Sequence, residues 1–193
     1  MKEGHYLCVL GMFDEETNKL FNQLDGRLQD AQLKTLGFFQ DDPWHFSLGV
    51  YFDLEPEELK AWVGQVASEY EPITLRFNHL GLFPGVLFVE PAFSWPLRNL
   101  YERLHEKYDD LHGDYEETSR RHGLFTPHVS IIFTYEQLPL AVEVMSKHFQ
   151  PFYGRMSKLL IYEYVIKGDK SFAVRPVATI PLNKTLKNGE HHD

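Results

Sequence analysis

Two short segments of the chain combine a histidine with a serine two residues further on. His45 and Ser47 lie in one apolar, β-prone run, and His128 and Ser130 lie in another. Imidazole titrates near neutral pH, so one neutral ring can accept a proton while a protonated ring donates one. A serine hydroxyl can donate a hydrogen bond to a phosphoryl or carbonyl oxygen. Together the four side chains would supply an acid, a base and two hydrogen-bond donors.

This set of groups suits the chemistry of phosphodiesters. One histidine would activate the attacking hydroxyl or water, the other would protonate the leaving oxygen, and the serines would hold the non-bridging oxygens. Phosphoryl transfer depends mainly on positioning and on stabilisation of charge, so it requires neither a covalent intermediate nor a metal ion. A single His-x-Ser triplet is weak support for such a site, but two of them suggest two halves that meet over one pocket.

Each pair is expected on one face of a β-strand. Side chains alternate between the two faces of a strand, so the His and the Ser of each segment point the same way. The apolar residues between and after them are expected to point to the other face, toward a core. These residues are Phe46, Leu48 and Val50 in the first strand and Val129, Ile131 and Phe133 in the second.

Hydrophobic periodicity and chain breakers predict the elements that position these strands. Helices are predicted at 14–32, 55–70, 93–112 and 138–148, a loop at 112–124, and strands at 5–12, 45–52, 73–83, 86–90, 127–135, 158–167 and 172–180. Turns at Pro84-Gly85 and Gly168-Asp169 make two of the strand pairs hairpins. A strand–helix–hairpin block therefore begins at each histidine, which predicts a pseudo-duplicated α+β architecture.

The two motifs resemble the signature of a known family. His45-Phe46-Ser47-Leu48 and His128-Val129-Ser130-Ile131 match the His-x-(Ser/Thr)-x-hydrophobic pattern of the two-histidine phosphoesterase superfamily, which includes bacterial 2′-5′ RNA ligase-like proteins and cyclic phosphodiesterases. Residues 125–130 are similar to the family's second motif, where a proline commonly precedes the histidine, and 80–89 are similar to the hairpin between the motifs. The resemblance extends over nearly the whole chain in order and spacing.

The resemblance implies a bilobal α+β fold, with antiparallel sheets lining a central cleft and helices outside. Residues 1–182 would form this single domain, and 183–193 a loose polar tail. It also implies a metal-independent reaction without a cofactor on 2′,3′-cyclic phosphates, or on related cyclic or 2′-5′ phosphodiester bonds of nucleotides and RNA ends. His45 and His128 would be the acid–base pair, with the assignment of acid and base left open, and Ser47 and Ser130 would bind the phosphate.

Four other residues are candidates for substrate contact. Trp44, Tyr51 and Tyr135 could stack on a base, because base–aromatic stacking tolerates varied sequence, although core packing is the alternative for such residues. Arg121 could help to hold a phosphate or could belong to a solvated loop. The histidines show no metal-ligand spacing, and the chain has no Walker-type or Gly-x-Gly-x-x-Gly element, so no metal or nucleotide cofactor is predicted.

Charge and composition narrow the class of partner. The net charge is −9, with 28 acidic and 19 basic residues, which argues against coating of long nucleic acid through a basic face. We therefore expect a small nucleotide or an RNA terminus as partner, and a monomer. No signal peptide or membrane span is evident, and a single cysteine, Cys8, precludes an intrachain disulfide. These features predict a cytoplasmic protein without membrane contact.

Two alternatives from other functional classes stay open at this point. A basic residue often follows a motif in RNA-acting relatives, but here Gly49-Val50-Tyr51 and Ile132-Phe133-Thr134 follow, and Trp44 rather than proline precedes His45. These departures suit a module that binds a nucleotide or RNA end without turnover. A hydrolase that uses Cys8 as its nucleophile together with a histidine would need an exposed thiol, whereas the sequence places Cys8 in an apolar strand.

Overall fold

The computed structural model describes residues 4–35, 44–113, 125–167 and 170–184. These form seven strands and four α-helices. The strands are β1 (Gly4–Phe13), β2 (His45–Phe52), β3 (Ile73–Phe83), β4 (Val86–Pro91), β5 (Val129–Phe133), β6 (Phe152–Lys167) and β7 (Lys170–Pro181). The helices are α1 (Glu15–Asp30), α2 (Pro56–Ala67), α3 (Trp95–Tyr108) and α4 (Leu138–His148), and a short 3-10 turn (Asp109–Leu111) follows α3.

All seven strands belong to one antiparallel sheet. The strand order is β2-β1-β6-β3-β4-β5, and β7 also pairs with β6. Met156 of β6 lies opposite both Phe13 of β1 and Ile73 of β3. Strands β1 and β3 therefore occupy opposite edges of β6, and β7 continues along the same edge as β3. The long strand β6 thus joins two halves of the sheet.

The pairing reveals an internal duplication. The unit β1-α1-β2-α2-β3 is followed by β4-α3-β5-α4-β6, and each unit places its histidine-containing strand at an outer edge, as β2-β1-β6 and β5-β4-β3. The two units meet where β3 pairs with β6, at Ile73 with Met156 and Phe77 with Phe152. The predicted strand–helix–hairpin blocks are present, but pairing makes the repeat begin earlier, at β1 and β4.

Strand β1 is buried on both faces. Leu7, Val9 and Phe13 belong to the main core. The alternate residues of β1 belong to a second cluster that lies on the other face of the sheet: Tyr6, Cys8, Leu10 and Met12, with Val50 and Leu160. One face of the sheet therefore packs in the main core, and the other face carries the site described below.

Capping side chains and prolines set several element ends. Asp14 caps α1 by accepting a hydrogen bond from the Thr17 amide at 2.9 Å, and Ser94 caps α3. Helix α3 is therefore shorter than the predicted helix 93–112, because it starts after Ser94 and is followed by the 3-10 turn. Strand β5 is shorter than the predicted 127–135, since Pro127 has no N–H for the ladder.

Strand β6 begins six residues earlier than its apolar run predicted. Residues 152–156 lie opposite β3, and this pairing extends the strand toward its start. The Pro84-Gly85 turn is confirmed, with Gly85 at φ 77°, a conformation that favours glycine. The turn predicted at Gly168-Asp169, and residues 185–193 of the predicted tail, lie outside the described residues. The limits of the 1–182 domain remain a prediction.

Within the described part of the chain, every helix is too short or too polar to cross a membrane.

Candidate active site

A shared cleft brings the two motifs together. Strands β2 and β5 approach until Cα atoms of one lie within 8 Å of the other. Between them lies a cavity of about 480 Å³ whose walls include His45, Ser47, His128 and Ser130. This cavity is called the cleft below. The structure therefore places all four polar side chains singled out in the sequence around one space.

Strand alternation explains why these side chains face the cleft. In β2, Phe46 and Leu48 are buried in the main core while His45 and Ser47 are half-buried on the other face. In β5, Val129 and Ile131 are likewise buried in the core, and Ser130 is half-buried. The apolar residues anchor each strand, and the alternation directs the polar groups away from the core.

Each motif is followed at once by a β-bulge. In the first repeat Val9 pairs with Gly49 and Leu10 pairs with Ser47, so Leu48 is an extra residue. In the second, Leu87 pairs with Ile132 and Phe88 pairs with Ser130, so Ile131 is the extra residue. A bulge adds one residue and bends the strand. Its occurrence at the same place in both repeats makes it part of the duplicated site.

The bulges reverse the alternation of the residues that follow, and this corrects two sequence predictions. Phe133 was expected in the core, but it is 60% exposed and lines the cleft. Val50 was expected to pack beside Phe46 and Leu48, but it lies on the cleft side with the second cluster. In each repeat the third residue after the serine thus changes face.

The same reversal places Tyr51 in the core rather than in the cleft. Its side chain is 1% exposed and packs near the rings of His105 and His112, at 6.1 and 5.5 Å between centroids. Burial raises the pKa of the Tyr51 hydroxyl well above its usual value, so the group stays neutral. Tyr51 does not line the cleft, and the structure gives no support for its predicted contact with substrate.

The other three candidate contacts have different positions. Trp44 is buried, and its Nε1 donates a hydrogen bond to Asn22 Oδ1 at 2.6 Å, so it packs in the core. Tyr135 is 70% exposed, with its ring over Gly85 and 6.3 Å from the Phe133 ring. This places Tyr135 beside the cleft rather than among its lining residues. Arg121 lies outside the described residues.

A backbone carbonyl fixes the tautomer of His128. Its Nδ1 lies 2.8 Å from the carbonyl oxygen of Thr126. A carbonyl can only accept, so Nδ1 carries the hydrogen and the lone pair of the neutral ring lies on Nε2. The ring is also enclosed by Phe83, edge-on at 4.9 Å, and by Phe88 at 5.1 Å. These contacts restrict the orientation of the imidazole.

A glycine on β3 makes room for this arrangement. Gly81 lies opposite Phe88 in the β3–β4 ladder, and a Cβ atom at Gly81 would overlap the Phe88 ring. Phe88 in turn lies 4.5 Å from Phe83, between centroids. The absence of a side chain at Gly81 therefore lets Phe88 approach His128.

Comparisons with known proteins identify this arrangement. The 2′-5′ RNA ligase superfamily model matches residues 20–165, more than half of the chain. The chain belongs to the 2′-5′ RNA ligase superfamily. This confirms the two-histidine phosphoesterase resemblance seen in the motifs. A comparison with curated proteins gave no match.

Solved structures of other members share the fold. TT0787 of Thermus thermophilus is 16% identical, with a TM-score of 0.66 over 93% of this chain and 98% of that one. LigT of E. coli in complex with 3′-AMP is 13% identical, with a TM-score of 0.58 over 95% and 100% of the two chains. LigT in complex with ATP is 12% identical, with a TM-score of 0.58 over 95% of this chain and 100% of that one. At these identities the likeness establishes the fold alone, and it confirms the predicted α+β class.

In this superfamily member the cleft has an aromatic wall that sequence reasoning missed. Tyr6 and Tyr164 line the cleft and stack at 5.3 Å between centroids, with 13° between their planes. Tyr162 packs against Tyr164 at 5.2 Å, and Phe52 packs against Tyr6 at 5.4 Å. The alternation of Tyr6, Cys8, Leu10 and Met12 along β1 was the signal for a second buried face.

The cleft of this superfamily member carries little fixed charge. Among the described residues, its lining contains no Lys, Arg, Asp or Glu, and its ionisable side chains are the two histidines, Tyr6, Tyr164 and Cys8. Cys8 is buried in the second cluster. Nor does any group of three His, Cys, Asp or Glu side chains suited to a metal ion occur in the described part of the chain. The protonation state of the imidazoles therefore dominates the charge that the described lining presents.

Proposed function

We propose that this protein is a phosphodiesterase that opens a 2′,3′-cyclic phosphate, or a related cyclic or 2′-5′ phosphodiester of a nucleotide or RNA end. The observation that carries the proposal is the shared cleft, in which two His-x-Ser pairs follow the same bulged strand geometry on β2 and β5. A duplicated pair of imidazoles around one cavity is suited to act on the two sides of a single phosphorus atom.

The reaction requires one neutral and one protonated histidine. The neutral imidazole takes a proton from water as the water oxygen attacks phosphorus, and the bond from phosphorus to one ribose oxygen breaks. The protonated imidazole gives its proton to that leaving oxygen, so the two rings end with their protonation states exchanged. Ser47 and Ser130 donate hydrogen bonds to the non-bridging oxygens, whose charge grows in the transition state. No step requires a metal.

The tautomer of His128 suits either catalytic role. With Nδ1 bound to the Thr126 carbonyl, the proton that enters or leaves the ring is the one on Nε2. The carbonyl also stabilises the ring when both nitrogens carry hydrogen. The assignment of base and acid between His45 and His128 is left to the pH profiles of the single variants.

Charge and size favour a small substrate. One protonated imidazole would give the described lining a charge of about +1, which matches the single negative charge of a phosphodiester. The cavity of about 480 Å³ is of the size that holds a small ligand, and the Tyr6–Tyr164 stack offers a surface for a base. LigT of E. coli has been crystallised with 3′-AMP and with ATP, which supports a nucleotide in the corresponding cleft. Monomeric state and cytoplasmic location stay predictions.

Turnover by single-residue variants tests the proposal. The purified protein, with EDTA present, is assayed against the four 2′,3′-cyclic mononucleotides, cyclic-phosphate-ended oligoribonucleotides and 2′-5′-linked dinucleotides. His45→Ala and His128→Ala are each expected to lower kcat by on the order of 10²-fold or more, because each removes a proton-transfer group. The matched control is His79→Ala, since His79 is exposed on β3 and does not line the cleft.

The outcomes separate the candidate functions. Full activity in His45→Ala or His128→Ala would exclude two-histidine catalysis, and loss of activity with EDTA would exclude a metal-independent reaction. Micromolar binding of these compounds by the wild-type protein without turnover would instead support a non-catalytic nucleotide or RNA-end binding module. Inactivation by thiol alkylation would be needed for a hydrolase that uses Cys8 with a histidine, and activity that resists alkylation would count against it.

A further inference from the structure

A buried histidine outside the cleft touches the first motif strand. His105 lies on α3 and is 0% exposed. Its Nε2 is 2.8 Å from the carbonyl oxygen of Leu48, and its Nδ1 is 2.8 Å from Oδ1 of Asp109. The His105 ring does not line the cleft, so it has no place in the reaction proposed above.

Both ring nitrogens of His105 face oxygen atoms. The Leu48 carbonyl can only accept, so the hydrogen on Nε2 points to it. Nδ1 faces the Asp109 carboxylate, and the two groups form a close pair. A buried polar ring without such partners would be costly, and here each ring nitrogen lies beside an oxygen atom. The ring therefore has one orientation, and its Nε2–H is directed at one backbone atom of β2.

That backbone atom belongs to the bulge. Leu48 is the extra residue between Ser47 and Gly49, where the β1–β2 ladder changes register. The residue inserted by a bulge is left without its regular ladder partner. The hydrogen bond from His105 supplies a donor to the carbonyl of this residue. Leu48 lies one residue after Ser47 and three residues after His45.

Neighbouring contacts show that the segment after α3 covers the outer edge of β2. The Gly113 amide donates a hydrogen bond to the carbonyl oxygen of Val50 at 2.7 Å. Tyr51 and His112 form an isolated antiparallel bridge. Leu48 and Val50, on either side of Gly49, are thus both held by the segment from α3 to residue 113. His105 provides the contact nearest to Ser47.

We propose that His105 is a positioning residue, which acts with Asp109 to fix the bulge after Ser47 and so directs His45 and Ser47 into the cleft. The inference rests on the proposed function for its effect on turnover, but its effect on the strand can be measured separately. Without the donor, the Leu48 carbonyl is buried unpaired, and the bulge loses the contact that selects its geometry.

Three variants and one control test this role. His105→Leu removes both hydrogen bonds, whereas His105→Gln keeps an N–H donor within reach of Leu48. Asp109→Asn leaves the ring in place but removes the carboxylate that orients it. The control is Leu100→Ala, because Leu100 is also fully buried on α3 but is not the residue that bonds Leu48. It measures the effect of general destabilisation of the helix.

Two measurements are made on each variant at equal folded fraction. The first is kcat and KM for the best 2′,3′-cyclic nucleotide, and the second is amide hydrogen exchange of residues 45–52. We expect His105→Leu to lower kcat by up to about 10²-fold, as small misplacements of reacting groups can, and to speed exchange around Gly49. His105→Gln should restore most of the wild-type kcat and most of the wild-type protection from exchange. Asp109→Asn should give values between those of His105→Leu and His105→Gln, and Leu100→Ala should keep the wild-type kcat.

The inference is overturned if His105→Leu and Leu100→Ala have the same kcat, or if exchange at residues 45–52 is unchanged. If His105→Leu does not fold, Asp109→Asn decides, and wild-type values of both quantities in that variant reject the role. Absence of turnover in the wild-type protein would reject the proposed function instead. In that case the exchange data, together with amide shifts of Ser47 on titration with inorganic phosphate, still decide whether His105 fixes the bulge.

Discussion

At the scale of single residues, the second motif histidine is held by its surroundings. The Thr126 carbonyl fixes the tautomer, while Phe83 and Phe88 enclose the ring. Such contacts matter because a catalytic imidazole must keep its reacting nitrogen within hydrogen-bond reach of the substrate. Gly81 is part of this arrangement although it does not line the cleft, since its missing side chain gives Phe88 its place.

Gly81→Ala should therefore lower activity through Phe88. The new methyl group would push the Phe88 ring toward His128, and overpacking of this kind costs about 1–3 kcal/mol of stability. Kinetics and denaturant unfolding are compared with those of Gly64→Ala, where the added methyl group meets nothing within 4 Å. That control lies inside α2 and should gain up to about 1 kcal/mol. Equal kcat in the two variants would show that Phe88 does not position His128.

At the scale of elements, the strands depend on contacts with distant parts of the chain. The bulges of β2 and β5 exist only because β1 and β4 pair with them in shifted register. Strand β6 connects the repeats and also carries Tyr162 and Tyr164 of the aromatic wall. Glu163 of β6 links it to its neighbours, since its carboxylate contacts Arg175 of β7 at 2.8 Å and His5 of β1 at 2.9 Å.

The linkage of Glu163 predicts how stability depends on pH. The hydrogen bond from Arg175, and then that with His5, lower the pKa of Glu163 in the folded protein. Its contribution is therefore complete above the ordinary Glu pKa of about 4.3 and is lost as the pH falls through the lower folded value. Glu163→Gln should cost less than about 1 kcal/mol at pH 7, because the partners are exposed.

Unfolding free energies at about pH 7 and pH 3 check this sign, with pH 3 lying below the ordinary Glu pKa. The difference between wild type and Glu163→Gln should shrink at the lower pH, where the carboxylate becomes protonated. Glu71→Gln, which changes an exposed glutamate in the segment just before β3, controls for the change in net charge. A difference that grows toward low pH would contradict the assigned direction.

At the scale of the whole molecule, the net charge and the lining of the cleft both favour the proposed small ligand. The chain carries a net charge of −9, and the described lining of the cleft has no Lys or Arg. Binding of a long nucleic acid releases counterions in proportion to the phosphates contacted, which makes such binding strongly dependent on salt. A cleft that contacts one phosphodiester should show only a weak dependence on salt.

We therefore expect a weak effect of salt on turnover. The ratio kcat/KM for a 2′,3′-cyclic mononucleotide should change less than about fourfold between roughly 50 and 200 mM salt, as expected for about one phosphate contact or fewer. A cyclic-phosphate-ended decamer should show nearly the same dependence as the mononucleotide. A steep decline with the decamer alone would indicate further phosphate contacts, for which Arg121 and its neighbours outside the described residues would be the first candidates.

Local sequence determined which polar side chains share a strand face in the candidate site. Period-two alternation was enough to put His45 with Ser47 and His128 with Ser130, because it depends only on the geometry of one strand. Helix α4 was predicted at its observed limits, 138–148, and the Pro84-Gly85 turn was also correct. The motif resemblance identified the superfamily, since a pair of short signatures survives when overall identity is low.

Tertiary structure decided how those side chains are arranged. The convergence of β2 and β5 on one cleft depends on the pairing of β3 with β6, whose residues lie far apart in the chain. The bulges, which turn Val50 and Phe133 to the cleft and Tyr51 to the core, depend on the register of partner strands, and no periodicity within β2 or β5 encodes it. The contact of His105 with Leu48 joins residues 57 positions apart. Such interactions are set by packing of the folded chain, so the local pattern could not specify them.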